Sequence, residues 1–170
     1  MKLKIFLTAL TALAFGMVAL PSQAGESEDQ AALVQALPGA KVSLRQGLEA
    51  AAARGRPISG KFEIEDGKLQ LSVYTSKSGK FSEVIVDYNK GTVAKAEAIT
   101  EGDDLAAAKA QSAALAKVKS TLAMAVANAE HDAAGYRAIR VVPENGDQGA
   151  VAKVTLIKGS EVKTVALPLK

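Results

Sequence analysis

The fold is decided by one stretch in which apolar and polar residues alternate on either side of a turn: Ile58-Ser59-Gly60-Lys61-Phe62-Glu63-Ile64-Glu65-Asp66-Gly67-Lys68-Leu69-Gln70-Leu71-Ser72-Val73. Alternation with a period of two predicts strands that are half-buried. An Asp-Gly pair between two such runs is a strong local signal for a β-hairpin. The stretch therefore predicts two antiparallel strands with one apolar and one polar face.

The alternation continues beyond the hairpin. Ser78-Gly79 predicts a second turn, followed by a third strand over 81–86. Residues 87–91 predict a third turn, which leads into a short strand over 92–96. Residues 58–96 therefore predict an antiparallel meander of about four strands.

Two helices are predicted before the meander. The first covers 26–37, where apolar residues recur at helical spacing until Pro38-Gly39 stops the run. The second begins at Ser43, because Gln46 stands three residues later in the spacing of a capping box. It ends before Gly55 and Pro57.

The second half of the chain repeats this order. Residues 101–104 are predicted to cap an alanine-rich helix, and Ser120 or Thr121 starts another that ends near Gly135. Strands are predicted over 136–142, 150–157 and 161–167. The predicted fold class is α+β, with two modules over 25–99 and 100–170, each with helices on one face of a three- to four-stranded meander.

The two halves can be aligned at an offset of 78 residues. This offset pairs like residues in the helices: Leu37 with Leu115, Lys41 with Lys119, Leu44 with Leu122 and Ala51 with Ala129. The pairing favours an internal duplication. The alternative is that alanine-rich amphipathic helices resemble each other by composition alone.

Residues 1–24 have the pattern of a secretory signal peptide. Lys2 and Lys4 precede an uncharged apolar run over 5–20, and Ser22-Gln23-Ala24 offers small residues before a cut after Ala24. A retained membrane anchor is the alternative, but the run is short for a span. The sequence predicts a periplasmic or secreted protein with no stable membrane span after cleavage.

Charge and composition restrict the possible functions. Removal of Lys2 and Lys4 with the leader leaves 19 of the 21 basic residues and all 18 acidic ones, so the mature chain is nearly neutral. A nucleic-acid partner is therefore not expected. The chain has no Cys and one His, which excludes thiolate and multi-histidine metal sites. No metal and no cofactor are predicted.

Residues 41–97 resemble a PepSY domain. The resemblance is carried by the helix Val42-Ser43-Leu44-Arg45-Gln46-Gly47-Leu48-Glu49-Ala50-Ala51 and by the ending Glu83-Val84-Ile85-Val86-Asp87-Tyr88-Asn89-Lys90-Gly91-Thr92-Val93. In the family an Asp after a valine precedes a small turn that Gly closes. The second half shares the element order but lacks a counterpart of this ending, so it resembles a degenerate second copy.

The resemblance implies a helix laid on an antiparallel sheet in a secreted or envelope protein that restrains peptidases by contact. Tandem copies of this kind are also similar in architecture to the beta-lactamase inhibitory protein fold, which grips an enzyme with a concave sheet surface. The implied partner is another envelope protein or a peptide. A small-ligand or ion-responsive envelope module, with a ligand between the two halves, is the alternative function.

Few residues are candidates for catalysis. His131 is interpreted as a polar residue at a helix end, and Glu63, Glu65 and Asp66 as the solvated side of a half-buried sheet. Asp87, Asn89 and Gly91 are interpreted as a structural turn, in which Asp and Asn accept hydrogen bonds from backbone amides and Gly supplies a positive φ. The sequence contains no phosphate loop or nucleophile elbow. The protein is predicted not to be an enzyme.

Four arginines form the candidate partner surface. They stand at the helix-to-strand junctions of the two halves: Arg54, Arg56, Arg137 and Arg140. Because guanidinium groups pair well with carboxylates, these residues predict a patch for an acidic peptide or another anion. The alternative is that they are solvated junction residues.

Overall fold

The structure, a computed structural model, describes residues 23–170, with side chains from Asp29 onward. Most of the predicted signal peptide lies outside these residues. The elements follow each other as α1 (Gln23–Ala36), a 3-10 turn (Leu37–Gly39), α2 (Leu44–Ala51), β1 (Arg56–Glu65), β2 (Lys68–Lys77), β3 (Lys80–Val86), β4 (Val93–Ile99), α3 (Gly102–Ala114), α4 (Leu122–Asp132), β5 (Arg137–Gly146), β6 (Gly149–Lys158) and β7 (Glu161–Pro168). In the described part of the chain, no helix is both long and apolar enough to cross a membrane.

The Asp66-Gly67 turn closes the hairpin that the alternation predicts. Ile64 pairs with Leu69 and Glu65 with Lys68, leaving two residues in the loop. Asp66 has a φ of 48° and Gly67 a φ of 71°. Two central residues with positive φ are what a type I′ turn requires, and that turn matches the twist of the flanking strands.

All seven strands belong to one antiparallel sheet, in the order β4-β3-β2-β1-β5-β6-β7. The two meanders join at their first strands, where Gly60 pairs with Val141 and Lys61 with Arg140. The predicted α+β class is confirmed. The structure does not support two separate modules, because the seam makes the two sheets continuous.

One face of the sheet carries α2 and α4. Helix α2 packs on β1, β2 and β3, α4 packs on β5 and β6, and the two helices contact each other. Ser43 begins α2 with the predicted capping box, since its Oγ accepts from the amide of Gln46 and its own amide donates to Gln46 Oε1. The core lies beneath the two helices, with Leu44, Leu48, Leu71, Val126 and Val154 almost completely buried.

Helix α3 lies on the opposite face. It contacts β1, β2 and β5, and Ser59 Oγ donates a 2.8 Å hydrogen bond to Gln111 Oε1. Ser59 and Gly60 are neighbours in β1, so they face opposite sides of the sheet. Gly60 faces α2, and Ser59 therefore faces α3. The expectation that both helices of the second half share one face is therefore wrong. Ala108 of α3 is almost completely buried, and the contacts of α3 with both β1 and β5 show that it crosses the seam.

Candidate functional site

Arg137 bonds backbone carbonyls within the fold. Its guanidinium donates hydrogen bonds of 3.0, 3.3 and 2.9 Å to the carbonyl oxygens of Leu37, Ala40 and Val42, and it lies 5.1 Å from the ring centroid of Phe62. Burial lowers the pKa of Arg137, while the nearby Glu130 carboxylate opposes this shift. The segment before α2 is thus fastened to β5.

The other three predicted arginines lie in different surroundings. Arg56 Nη2 donates a 2.7 Å bond to the carbonyl of Val118 and lines a cavity beside α2 and α4. Arg140 lines one cavity beside α3 and another beside α1, and Arg54 is exposed after α2. Arg56 and Arg140 line different cavities, Arg54 lines neither of these, and Arg137 bonds backbone carbonyls, so the structure does not gather the four arginines into one anion patch.

The turn after β3 is organised around Asp87. Its Oδ1 accepts bonds of 2.9 and 3.1 Å from the amides of Asn89 and Lys90. These bonds, followed by the charge of Lys90, lower the pKa of Asp87. Gly91 has a φ of 70°, and the amides of Lys41 and Val42 donate to the Tyr88 carbonyl. The turn therefore braces the start of α2.

His131 lies at the solvent-exposed end of α4. Its Nδ1 is 3.1 Å from Oδ1 of Asp132, the neighbouring residue. Within residues 23–170, no group of three or more His, Asp or Glu side chains is arranged to hold a metal ion.

The uncovered part of the α3 face forms a groove of about 500 Å³, which we call the acidic groove. It is lined by Lys61, Glu63, Glu65, Asp66, Gln70, Tyr74, Glu83, Ile85, Lys95, Glu97 and Asp104. Six of these side chains are carboxylates and two are lysines. Asp104, from the first turn of α3, adds a helical wall to a floor made by the strands.

Strand register arranges these charges in rows. Tyr74 pairs with Glu83, and Glu83 pairs with Glu97, so one row crosses β2, β3 and β4. Lys95 Nζ binds Glu97 at 2.8 Å, and Lys61 binds Glu63. Each lysine is therefore already paired with a carboxylate of the groove. Glu65, Asp66, Glu83 and Asp104 remain as surplus negative charge.

Tyr74 is half-buried in the groove. Burial raises the pKa of its hydroxyl, and the charges of Glu83, Glu63 and Asp104 raise it further. Lys61 Nζ lies 5.8 Å from the ring centroid. The Tyr74 phenol therefore stays protonated at neutral pH and offers a hydrogen-bond donor amid carboxylates.

A polar network supports the floor of the groove. Gln70 Nε2 donates to Ser72 Oγ at 3.0 Å, and Ser72 Oγ donates to Glu63 Oε1 at 2.8 Å. Ser72 is completely buried. Ser72 and Lys61 thereby hold the Glu63 carboxylate in place at the groove.

A second cavity, which we call the helix cleft, opens on the other face of the sheet. It measures about 250 Å³ and lies between α2, α4 and the segments that lead into β1 and α4. It is lined by Arg45, Leu48, Glu49, Ala52, Arg56, Pro57, Leu115, Ser120, Thr121, Leu122, Ala123, Met124 and Ala127. The cleft therefore joins the first half of the chain to the second.

Sequence reasoning identified part of the acidic groove but gave it no role. Glu63, Glu65 and Asp66 were assigned to a solvated face, whereas Glu83, Glu97 and Asp104 were missed. Alternation along β3 and β4 places Glu83 and Glu97 on the polar face, so this signal was present. Asp104 reaches the groove only because α3 packs on this face of the sheet, and the local sequence does not indicate which face α3 takes.

Comparison of the chain with protein-family models, with curated proteins and with solved structures finds no match.

Proposed function

We propose that this protein is a non-catalytic binding module of the cell envelope that holds a basic segment of another protein or peptide in the acidic groove. The observation that carries the proposal is the groove's charge, with six carboxylates against two lysines on one side of a nearly neutral chain. Lysine and arginine side chains are the groups that such a surface attracts.

The arrangement of the carboxylates supports a role in binding. Glu83 and Glu97 are directly opposite each other on neighbouring strands, and like charges in that position destabilise a sheet. Lys95 offsets only part of this repulsion. A cationic partner would relieve the remaining repulsion between Glu83 and Glu97. This repulsion destabilises the free protein, so its relief would favour binding.

The sheet edge beside the groove supports an extended partner. β4 (Val93–Ile99) is an edge strand of the sheet and pairs only with β3. Its outer side therefore presents backbone N–H and C=O groups to which a further strand could bond. Peptides commonly bind by adding a strand to such an edge while their side chains enter neighbouring pockets. A segment added to β4 would direct alternate side chains toward the acidic groove.

The resemblance of residues 41–97 to a PepSY domain indicates which kind of partner to propose. We propose an envelope peptidase or its substrate peptide, restrained by contact, with secretion directed by residues 1–24. We also propose that 25–99 and 100–170 arose as tandem copies, the second degenerate. Leu44 and Leu122, and likewise Ala51 and Ala129, are equivalent at an offset of 78 and are buried in both halves.

Fluorescence anisotropy with labelled ten-residue peptides tests the groove. A peptide rich in Lys and Arg should bind, and the same peptide with Glu in those positions should not. Binding should weaken as salt rises, because the Debye length falls from about 10 Å at 0.1 M to about 3 Å at 1 M. Glu83→Lys combined with Glu97→Lys should abolish the binding.

The matched control is Asp132→Lys combined with Asp147→Lys, which changes the net charge equally but away from the groove. This control should bind the basic peptide like the unmodified chain. Equal weakening by both double variants would mean that overall charge, rather than the groove, attracts the peptide. A peptidase that binds through the groove should lose activity in proportion to bound protein, and full retained activity would contradict the restraining role.

A further inference from the structure

The helix cleft has a different chemistry from the acidic groove. Its walls are mainly apolar, with Leu48, Pro57, Leu115 and Leu122 among the lining residues. Met124 lies at this cleft and is 57% exposed, the one large apolar side chain so exposed in the described part of the chain. Flexible methionines are well suited to adaptable apolar binding surfaces.

Positive charge predominates at the rim. Arg45 Nη1 binds Glu49 Oε1 at 3.1 Å, so this pair is nearly neutral as a unit. Arg56 uses Nη2 for its bond to the Val118 carbonyl. Since a guanidinium has five N–H donors, Arg56 keeps donors for a further acceptor. The rim therefore has one excess cation next to an apolar chamber.

The first turn of α4 adds to this positive end. Thr121 caps α4 by accepting from the amide of Met124, and Leu122 and Ala123 line the cleft. The first amides of a helix lack partners within the helix and carry partial positive charge. The same opening thus combines an apolar chamber, a guanidinium and a helix start.

From this combination we propose that the helix cleft binds a small aliphatic carboxylate, with the carboxylate on Arg56 and the hydrocarbon chain against Pro57, Met124 and Ala127, whose side chains are at least partly exposed. A dry apolar cavity of about 150 Å³ is large enough to hold benzene. The cleft, at about 250 Å³, has room for a somewhat longer chain. It is smaller than the roughly 300–1,000 Å³ of pockets for drug-sized ligands.

The charge at the rim favours a carboxylate over the other simple amphiphiles. An alkylammonium would place a cation against Arg56 and the start of α4. A neutral alcohol would fill the chamber but forgo the charge-assisted hydrogen bond, which is about twice as strong as a neutral one. The carboxylate is therefore expected to bind more tightly than an alcohol or amine of the same chain length.

Isothermal titration calorimetry of the full chain with octanoate, octanol, octylamine and acetate tests the proposal. Octanoate should bind saturably and more tightly than octanol, while octylamine and acetate should not bind. Equal affinity for octanoate and octanol would overturn the role of Arg56. Absence of octanoate binding, or binding by acetate as strong as by octanoate, would overturn the proposal as a whole.

Two variants locate the ligand. Arg56→Gln keeps a polar side chain but removes the charge and should weaken octanoate binding about five- to tenfold, because the charge-assisted bond is lost. Ala127→Leu should block the chamber and weaken octanoate and octanol alike. The control is Arg54→Gln, since Arg54 is exposed and does not line the cleft. Melting curves without ligand show whether each variant folds.

This inference does not rest on the acidic groove, because the cleft lies on the opposite face of the sheet. Arg56→Gln should leave binding of the basic peptide unchanged, and Glu83→Lys should leave octanoate binding unchanged. Dimers that octanoate dissociates would show that a second copy occupies the cleft, and would overturn the proposed occupant.

Discussion

At the scale of single residues, Arg137 joins parts of the chain that are about 100 residues apart. Replacing it with Ala removes the guanidinium donor of the Ala40 and Val42 carbonyls, while the Leu37 carbonyl keeps its bond from the Ala40 amide; it also removes a stem that packs beside Phe62. We expect a loss of about 2–4 kcal/mol in the free energy of unfolding, since hydrogen bonds to a charged group and unsatisfied partners each contribute a few kcal/mol.

Urea denaturation followed by circular dichroism measures this loss. Arg137→Lys should recover only part of the stability, because an ammonium lacks the planar fork that reaches several carbonyls. Arg140→Ala is the control, since Arg140 is exposed and should change stability by less than about 0.5 kcal/mol. An Arg137→Ala variant as stable as Arg140→Ala would contradict the structural role.

Asp87 predicts a pH dependence of stability. The amides of Asn89 and Lys90 lower its pKa in the folded state below the ordinary value of 3.8. The charged carboxylate therefore stabilises the fold above pH 3.8, and this contribution is lost as pH falls through the lower, folded-state pKa. Asp87→Asn keeps an acceptor for the turn but cannot ionise.

Melting temperatures of the native chain and Asp87→Asn between pH 2 and 7 provide the test. The native chain should melt at the higher temperature near neutral pH, and the difference should shrink below about pH 5. Asp87→Ala, which also lacks the acceptor, should melt below both near neutral pH. A difference between the native chain and Asp87→Asn that does not change with pH would contradict the role of the charge.

The Asp87 turn and Arg137 differ in how far the sequence could predict them. Local turn chemistry predicts the bonds that the Asp87 carboxylate accepts and the positive φ of Gly91, whereas Asn89 takes part through its own amide, as a donor to Asp87. Arg137 bonds the Leu37 carbonyl, 100 residues earlier in the chain. Such a contact depends on the meeting of two distant segments, so Arg137 was placed on a partner surface instead.

At the scale of elements, Gly47 sets how closely α2 approaches β2. A Cβ built on Gly47 would lie 2.6 Å from Leu71 Cδ2, and Leu71 is completely buried. Alanine favours a helix by about 1 kcal/mol over glycine, whereas overpacking a core costs about 1–3 kcal/mol. Gly47→Ala should therefore destabilise the protein despite its better helix propensity.

A double-mutant cycle with Leu71→Val distinguishes crowding from other effects. If Leu71 is the obstacle, Gly47→Ala should cost less in the Leu71→Val background than in the native one, with a coupling of about 0.5–3 kcal/mol. Denaturation midpoints of the four proteins give this coupling. Additive effects of the two changes would mean that the methyl group added by Gly47→Ala does not press against Leu71.

The elements themselves were largely predictable from local sequence. Alternation and turn pairs indicated all seven strands, and the capping box of Ser43 and Gln46 placed the start of α2. The face chosen by α3 was not predictable, because its many alanines define no strong apolar stripe. The acidic groove depends on that choice, since Asp104 comes from α3.

At the scale of the whole molecule, the two halves share one sheet and one core. Their strands meet through only two register pairs, Gly60 with Val141 and Lys61 with Arg140, and neither pair had a recognisable sequence signal. The contact of α2 with α4 and the bonds of Arg137 add to this seam. The halves are therefore expected to unfold together, even though their sequences resemble two modules.

Leu48→Asp tests this cooperativity. Leu48 is 1% exposed beneath α2, and a buried charge without a partner is strongly destabilising. Hydrogen exchange should show protection lost in β6 of the second half as well as in β2 of the first, because the shared core transmits the damage. Ala53→Asp adds the same charge at an exposed position and should leave protection intact. A Leu48→Asp protein that keeps native protection in β6 would mean that the second half folds on its own, and the seam would then be a contact between independent modules.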